Sequence, residues 1–242
     1  MWKLLYDHHT HTTFSHGKGS IEDNVKEAIA KGLESVGITD HGPGHLTYGL
    51  KRENYPVMRA EVDRLNKKYP QIKVLLGVEA NIWEPAPHID VIEDDLQYLD
   101  YVIAGYHYGV HGGYTIHNYT YDHGLRFGGR SLLAKNTDMM VRAIYENDLY
   151  ILTHPGDKGP FDIDEIARAC EARGVLMEIN AKHPHLDVKE IRTAMKYDVQ
   201  FIVSSDAHIP GRVGSVESPI ARAKEASVPV ERIVNIEETE EA

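Results

Sequence analysis

The sequence predicts an α/β protein built on parallel strands, and three observations lead to this class. Short apolar runs alternate with amphipathic helical segments along the chain. The runs are nearly continuously apolar, as expected for strands covered on both faces. Side chains able to bind metal ions follow the strands at one end, where barrel enzymes place their active sites. Strands alternating with helices imply parallel pairing through right-handed crossovers.

The predicted elements follow from the apolar periodicity along the chain. The strands are expected at residues 3–8, 34–39, 72–80, 101–105, 150–153, 175–180 and 201–205. The helices are expected at residues 20–32, 54–68, 136–147, 162–173, 188–197 and 216–226. Ser20 and Asp23 have the spacing of a capping box for the first helix, and Gly32 ends it. In the second helix, Val57, Met58 and Val62 are expected to face the core.

Composition limits the function classes. The chain has 242 residues, a formal charge of −11 and one cysteine. No composition break separates two parts, so residues 1–242 are predicted to form a single domain. An acidic chain is a poor partner for polymeric nucleic acid. The single Cys170 excludes an internal disulfide, and no apolar run approaches a membrane span, so a cytoplasmic protein is expected.

Fifteen histidines are many for this length, and four of them lie in the opening MWKLLYDHHTHTTFSHG. A strand alternates faces with period two. Asp7, His9 and His11 therefore share one face at the end of the first strand, whereas His8 faces the other way. An H-x-H pair at a strand end can place two imidazole nitrogens on one metal ion, but such a pair alone is a weak signal.

The later strands strengthen that signal. Each of six strands is followed, at its carboxyl end, by a potential ligand, and the remaining strand ends on the amide of Asn180. The candidate metal ligands outside the loop after the first strand are His9, His11, His41, Glu79, His107, His154, Asp206 and His208. Imidazole and carboxylate without thiolate are typical of a catalytic metal site with open positions. Asp7 and Asp40 are candidates either to orient an imidazole or to cap a strand end.

Other histidines receive a more ordinary interpretation. Those expected at the surface or in packing are His8, His45, His88, His183 and His185. His111, His117 and His123 lie in the stretch 108–130, which has no clear period and is predicted to be a long functional loop over the metal cleft. Tyrosines and the pair Arg126 and Arg130 give this stretch groups that could contact a phosphorylated substrate.

The motifs HTH, ITDHG, GVEAN, AGYH, THPG and SSDAH, in this order, resemble the polymerase-and-histidinol-phosphatase (PHP) family, and the resemblance extends over essentially the whole chain. It is strongest to the small stand-alone phosphatases that hold three metal ions. The resemblance implies a distorted TIM-like (β/α)7 barrel with three divalent ions, zinc in the first place, with manganese or iron also compatible. It also adds His16 to the ligand set.

Carried over by motif, the resemblance implies three metal sites. His9, His11, Glu79 and Asp206 would hold the first ion. The second would share Glu79 with His107 and His154. The third would lie among His16, His41 and His208. Glu79, Asp206 and His208 are named as candidate catalytic residues, and Lys182 and Arg212 as candidate phosphate contacts.

The function predicted from these residues is metal-dependent phosphoester hydrolysis of a small phosphorylated substrate, with a metal-activated hydroxide attacking phosphorus in line. Three alternatives stay open. An amidohydrolase-like enzyme also carries H-x-H after its first strand but usually has a lysine or second carboxylate after later strands. A nuclease acting on short oligonucleotides is the second, and a metal-binding regulatory module without turnover is the third. The sequence leaves the natural substrate and the oligomeric state undetermined.

Overall fold

A seven-stranded parallel sheet forms the centre of the structure. The computed structural model describes residues 1–125 and 129–239. Within the sheet, neighbouring strands follow chain order from β2 to β8. Two further strands, β1 and β9, pair antiparallel as a short ribbon. The strands are β1 Trp2–Leu4, β2 Tyr6–Asp7, β3 Ser35–Ile38, β4 Lys73–Asn81, β5 Tyr101–Gly105, β6 Ile151–Leu152, β7 Leu176–Asn180, β8 Phe201–Ser204 and β9 Ile236–Glu238.

The helices lie between the strands, as the crossovers of a parallel sheet require. The α-helices are α1 Ile21–Ala30, α2 Tyr55–Lys68, α3 Glu93–Leu96, α4 Thr115–Asp122, α5 Gly129–Glu146, α6 Ile163–Arg173, α7 Val188–Ala194 and α8 Glu217–Ala226. The predicted capping box is present, since the Ser20 side chain accepts from the Asp23 amide and the Asp23 carboxylate accepts from the Ser20 amide. Gly32 follows α1 with a φ of 69°, in the left-handed region that glycine adopts at low cost.

The first and last strands of the sheet approach each other and nearly close it into a barrel. Thr10 forms an isolated parallel bridge with Ala207, and the His11 amide donates to the Ala207 carbonyl at 2.8 Å. The Asp7 carboxylate accepts from the Ser205 and Gly214 amides across the same seam. The distorted seven-stranded (β/α) barrel predicted from the sequence is therefore confirmed.

Alternation along the strands decides which side chains face the barrel interior. In β5, Val102 and Ala104 pack in the cluster beneath the helices, whereas Ile103 belongs to a separate cluster with Ile151 and Tyr101. The same rule in β4 and β7 turns Glu79 and Glu178 inward, because their neighbours along each strand pack under the helices. Both carboxylates are almost fully buried.

Several predicted elements differ from the structure. The strand expected at residues 3–8 is interrupted, and its first part, β1, leaves the barrel to pair with β9. Val57 is not a core residue, since 55% of it is exposed while Met58 and Val62 are buried. In the described part of the chain, no helix is long and apolar enough to cross a membrane.

The prediction that residues 108–130 form a loop is wrong. This stretch contains α4, and α5 begins at Gly129, seven residues earlier than the predicted start at residue 136. Helix α4 was not predicted because its sequence, Thr115–Asp122, contains few strong helix formers and little apolar periodicity. Long-range contacts stabilise it: Asn118 is buried and donates to the Tyr106 hydroxyl at 2.9 Å and to Asn136 at 3.1 Å.

Candidate metal centre

Glu79 lies at the centre of a cluster of imidazoles at the carboxyl ends of the strands. Its Oε1 is 3.1 Å from His154 Nε2, 3.3 Å from His107 Nε2 and 3.4 Å from His9 Nε2. Its Oε2 is 2.9 Å from His41 Nδ1 and 3.5 Å from His11 Nε2. The structure thus brings five predicted ligands, contributed by four different segments of the chain, around one carboxylate.

Asp206 supplies a second carboxylate beside the first. Its Oδ1 lies 3.2 Å from His11 Nε2, 3.8 Å from His9 Nε2 and 3.2 Å from His208 Nδ1. Asp206 has a φ of 50°, a left-handed conformation that is uncommon for an aspartate. Non-glycine residues in this region cluster at functional sites, where the surrounding structure holds the strained backbone in place.

His16 completes the cluster from the loop after β2. Its ring lies 4.2 Å from the ring of His208 and 4.9 Å from that of His41, centroid to centroid. Tyr48 stacks on His16 at 4.4 Å and an interplanar angle of 22°. The structure therefore places all nine predicted ligands at one end of the barrel.

Two of these imidazoles have a buried partner on Nδ1, the ring nitrogen that does not face Glu79. Glu178 Oε1 lies 2.7 Å from His9 Nδ1, which directs His9 Nε2 towards Glu79. Asn81 Oδ1 accepts from His107 Nδ1 at 2.9 Å, and Asn81 in turn donates to Asp90 at 2.6 Å. Such contacts fix which ring nitrogen is free to bind a metal ion.

Asp7 and Asp40, which were candidates to orient an imidazole, instead accept hydrogen bonds from backbone amides and hydroxyl groups. Asp7 accepts from the His9 backbone amide, from Ser205 and from Gly214. Asp40 accepts from Thr12 and Ser15. Both cap the backbone around the site and neither contacts an imidazole nitrogen in these bonds. Sequence spacing alone could not separate the two roles, because a strand end offers both backbone amides and side chains.

The electrostatics favour ionised carboxylates and several neutral imidazoles, with one exception: burial opposes protonation of His9, but Glu178 and Glu79 hold its pKa well above its usual value. Burial, together with His208 and His41, lowers the pKa of His16 to about 3. Burial also lowers the pKa of His107 and His154 against the opposing effect of Glu79. Burial alone would raise the pKa of Glu79, but His107, His9 and His41 hold it well below its usual value. Ionised carboxylates and neutral imidazoles are the protonation states in which both groups bind metal ions.

The donor set fits divalent metal ions. Three groups of donor atoms lie within 4.8 Å of one another: His9 with His11 and Asp206, His41 with Glu79 and His107, and His11 with His41 and His208. Asp206 Oδ1 and His11 Nδ1 are buried without a hydrogen-bond partner among the described residues. Nitrogen and carboxylate donors converging in this way suit zinc, manganese or iron.

The PHP domain model matches residues 7–182, and the model of a PHP-associated region matches residues 188–227. The chain belongs to the PHP family. A relative from Acetivibrio thermocellus named "Probable phosphatase" is 28% identical and covers 96% of this chain and 91% of its own length. Another of that name, from Shewanella sediminis, is 30% identical and covers 96% and 90%.

A solved structure shows the same fold. It is the crystal structure of histidinol phosphate phosphatase from Lactococcus lactis, complexed with zinc, L-histidinol and phosphate. The two chains superimpose with a TM-score of 0.64 over 92% of each, at 19% sequence identity. This similarity supports the distorted barrel of the PHP fold for the present chain.

A cavity of about 320 Å³ opens onto the PHP site. Two lysines, Lys158 and Lys182, line it together with Tyr48 and Tyr108. Lys158 Nζ pairs with Asp157 at 3.1 Å, and Lys182 Nζ lies 3.1 Å from His208 Nε2. The cavity therefore combines the imidazole and carboxylate cluster with two cations and two aromatic rings.

Of the four predicted substrate contacts, only some line a cavity at the site. Lys182 lines the cavity, whereas Arg212 lies in a neighbouring one. Arg130 is exposed in the first turn of α5 and is not among the described lining residues of either cavity. Arg126 lies outside the described residues. Of the described part of 108–130, Tyr108 alone lines the site, and His111, His117 and His123 are exposed.

Sequence reasoning missed Glu178 and did not predict that His45 and His183 lie at the cavity. His183, expected at the surface or in packing, lies 2.8 Å from Asp157 and 3.4 Å from Asp206 and lines the cavity, as does His45. Glu178 is a charged residue within an otherwise apolar strand, on the same face as Asn180, and that pattern was the available signal. The position of His183 at the cavity was not predicted, because its loop returns to the site only in the folded barrel.

Proposed function

We propose that this PHP protein is a metal-dependent phosphoesterase that hydrolyses small phosphate monoesters. The observation that carries the proposal is Glu79, whose two oxygens lie within 3.5 Å of five imidazole nitrogens at the base of a cavity with lysines on its wall. When bound, divalent ions supply the positive charge that polarises a phosphoryl group and lowers the pKa of water to about 7.

The proposed ligand sets are those expected from the motifs. His9, His11, Glu79 and Asp206 would hold one ion, and the group of His9, His11 and Asp206 donors supports this set. Glu79 would be shared with His107 and His154. His16, His41 and His208 would hold a third ion. The group of His41, Glu79 and His107 mixes the second and third sets, and the group of His11, His41 and His208 mixes the first and third. This overlap supports a compact centre rather than three isolated sites.

The chain's own side chains bind and orient the substrate. Lys158 and Lys182 lie on the cavity wall, where ammonium groups can attract phosphoryl oxygens. Glu178 and Asn81 hold His9 and His107 in orientation. A cysteine nucleophile is not part of the proposal, because Cys170 lies fully buried in α6 and burial raises the pKa of its thiol.

Both matched regions contribute to the centre, which supports one functional unit over residues 1–242. Glu79 and His107 belong to residues 7–182, whereas Asp206 and His208 belong to residues 188–227. Asp206 lies within 3.8 Å of His9 and His11 from the other region. Neither region holds the complete donor set alone.

The test is hydrolysis of p-nitrophenyl phosphate with added zinc or manganese. Wild type should turn over, and Glu79→Gln should lose more activity than His16→Asn, because Glu79 contacts five imidazoles. No turnover of any phosphate monoester with either metal would contradict the proposal. Turnover of short oligonucleotides alone would indicate the nuclease alternative. Near-normal activity and metal content in Glu79→Gln would contradict the bridging role.

A further inference from the structure

A second cavity adjoins the PHP site and is rich in positive charge. It has a volume of about 410 Å³ and shares His16, Lys182 and Asp206 with the first cavity. Lys18 and Arg212 line it beyond these shared residues. Cavities of this size accommodate part of a small ligand. Three cations therefore surround one space in a chain whose formal net charge is −11.

These cations come from three connections that are held together at the barrel end. The Lys18 amide donates to the His208 carbonyl at 2.8 Å, which ties the loop after β2 to the segment after β8. A Cβ on Gly19 would lie 2.2 Å from the Pro210 side chain, so only glycine allows this approach. Arg212 ends the short 3-10 turn that Pro210 begins. The positions of the backbone around the cavity are thus fixed by packing.

The three cations lack carboxylate partners in the described part of the chain. Lys182 Nζ lies near His208, and no ion pair with an acidic side chain involves Lys18, Lys182 or Arg212 there. Several cations elsewhere on the surface are paired, for example Arg64 with Glu22 at 2.9 Å and Lys68 with Glu22 at 2.6 Å. Asp206 also lines the cavity but, within residues 1–125 and 129–239, forms no ion pair with these cations. Like charges gathered without paired carboxylates repel, and an anionic ligand would relieve that repulsion.

We infer that the second cavity binds a second anionic group of the substrate, so that the preferred substrates carry an additional phosphate or carboxylate beside the phosphate that is hydrolysed. This inference rests on the proposed function, which assigns the hydrolysed phosphate to the first cavity. Arg212 can hold two oxygens of such a group in a fork, and Lys18 adds a second positive charge. The shared wall at Lys182 lets one small molecule reach both cavities.

Binding of non-hydrolysable ligands tests the inference without turnover. Zinc-loaded protein is titrated by calorimetry with alkane bisphosphonates of two to five carbons and with alkyl monophosphonates of equal length. At the best spacer the bisphosphonate should bind at least about tenfold more tightly, the effect of about 1.4 kcal/mol from a charge-assisted contact. Equal affinities at every spacer would overturn the inference. Phosphonocarboxylates of the same lengths show whether phosphate or carboxylate is preferred.

Substitutions of Arg212 and Lys18 test whether these residues bind the second anionic group. Arg212→Ala and Lys18→Ala should each lower the ratio of bisphosphonate to monophosphonate affinity about tenfold, and Arg212→Lys should lower it less, because it keeps the charge but loses the fork. Lys67→Ala is the matched control, an exposed lysine on α2 away from both cavities. An unchanged ratio in Arg212→Ala and Lys18→Ala, or an equal fall in Lys67→Ala, would overturn the inference.

Hydrolysis separates failure of this inference from failure of the proposed function. If p-nitrophenyl phosphate is hydrolysed but bisphosphonates bind no better than monophosphonates, the second subsite is wrong and the phosphoesterase proposal stands. If no monoester is hydrolysed, the proposed function is wrong.

Discussion

At the scale of single residues, the site depends on side chains that orient the imidazoles as much as on the imidazoles themselves. His9 has Glu178 on one ring nitrogen and Glu79 on the other, at 2.7 Å and 3.4 Å. Both carboxylates are buried and ionised. Glu79 lies in β4 and Glu178 lies in β7. A substitution at Glu178 should therefore change metal binding by His9.

Glu178→Gln should lower metal affinity or kcat/KM by about 10- to 100-fold, because the amide retains an acceptor but loses the charge that makes His9 a stronger ligand. Zinc titration and phosphatase assays measure both quantities. Glu146→Gln is the matched control, since Glu146 contacts His88 Nδ1 at a similar 2.8 Å far from the site. Equal effects of the two substitutions would contradict an orienting role for Glu178.

His8 gives a pH-dependent prediction at the base of the barrel. It is buried, stacks on Tyr6 at 4.3 Å, and burial together with Lys73 lowers its pKa to about 4. The unfolded chain, with a pKa near 6.5, binds more protons between these values, so stability falls as the pH drops from 7 to 4. His8 should contribute about 3 kcal/mol to that fall.

Urea unfolding at pH 7 and pH 4, with a chelator present at both, measures this contribution. His8→Gln should reduce the pH-dependent loss of stability by about that amount. His117→Gln, at an exposed position, should leave the loss unchanged. The assignment fails if wild type and His8→Gln lose the same stability between the two pH values.

At the scale of elements, the connection after β3 is held against β4 by one buried carboxylate. Asp90 accepts from the Gly44 amide at 2.6 Å and from the Asn81 amide at 2.8 Å. A Cβ on Gly42 would lie 2.4 Å from Asp90 Oδ1, so the chain directly after His41 passes too close for any side chain. The position of His41 therefore depends on a glycine that is not itself a ligand.

Gly42→Ala should destabilise the fold by about 1–3 kcal/mol, as overpacking does, and should lower metal content by displacing His41. Urea unfolding and elemental analysis measure the two effects. In Gly211→Ala, by contrast, the new Cβ meets nothing within 4 Å, and stability should change little. Similar stabilities of both variants would show that the connection tolerates the side chain.

At the scale of the whole molecule, the metal centre links segments from residue 9 to residue 208. Ligand binding to the native state alone stabilises it by mass action. Protein purified without chelators should contain two or three divalent ions per chain. Removing them should lower the Tm by about 8–16 °C, the shift for about 4 kcal/mol in a chain of this size. Elemental analysis showing at most one ion in active protein would contradict a three-ion centre.

The resemblance to the PHP family implied the barrel and His16, whereas the sequence by itself determined most strands and helices, their parallel α/β arrangement and eight of the nine candidate ligands. These are local properties. Periodicity two or 3.6 reports which face of an element is buried, and a polar residue directly after an apolar run reports a strand end. Glu79 and His107 were found in this way, although their roles as ligands stay proposals.

The tertiary structure decided which distant groups meet. Glu178 and His9 are 169 positions apart in the chain. The local sequence around each residue does not predict that the other is its partner. His183 lines the site because its loop folds back, and α4 forms because Asn118 finds buried partners despite weak helix propensity. Local pattern encodes burial and periodicity, but the free energy that selects partners comes from contacts between segments far apart in the chain, and only the closed barrel makes those contacts.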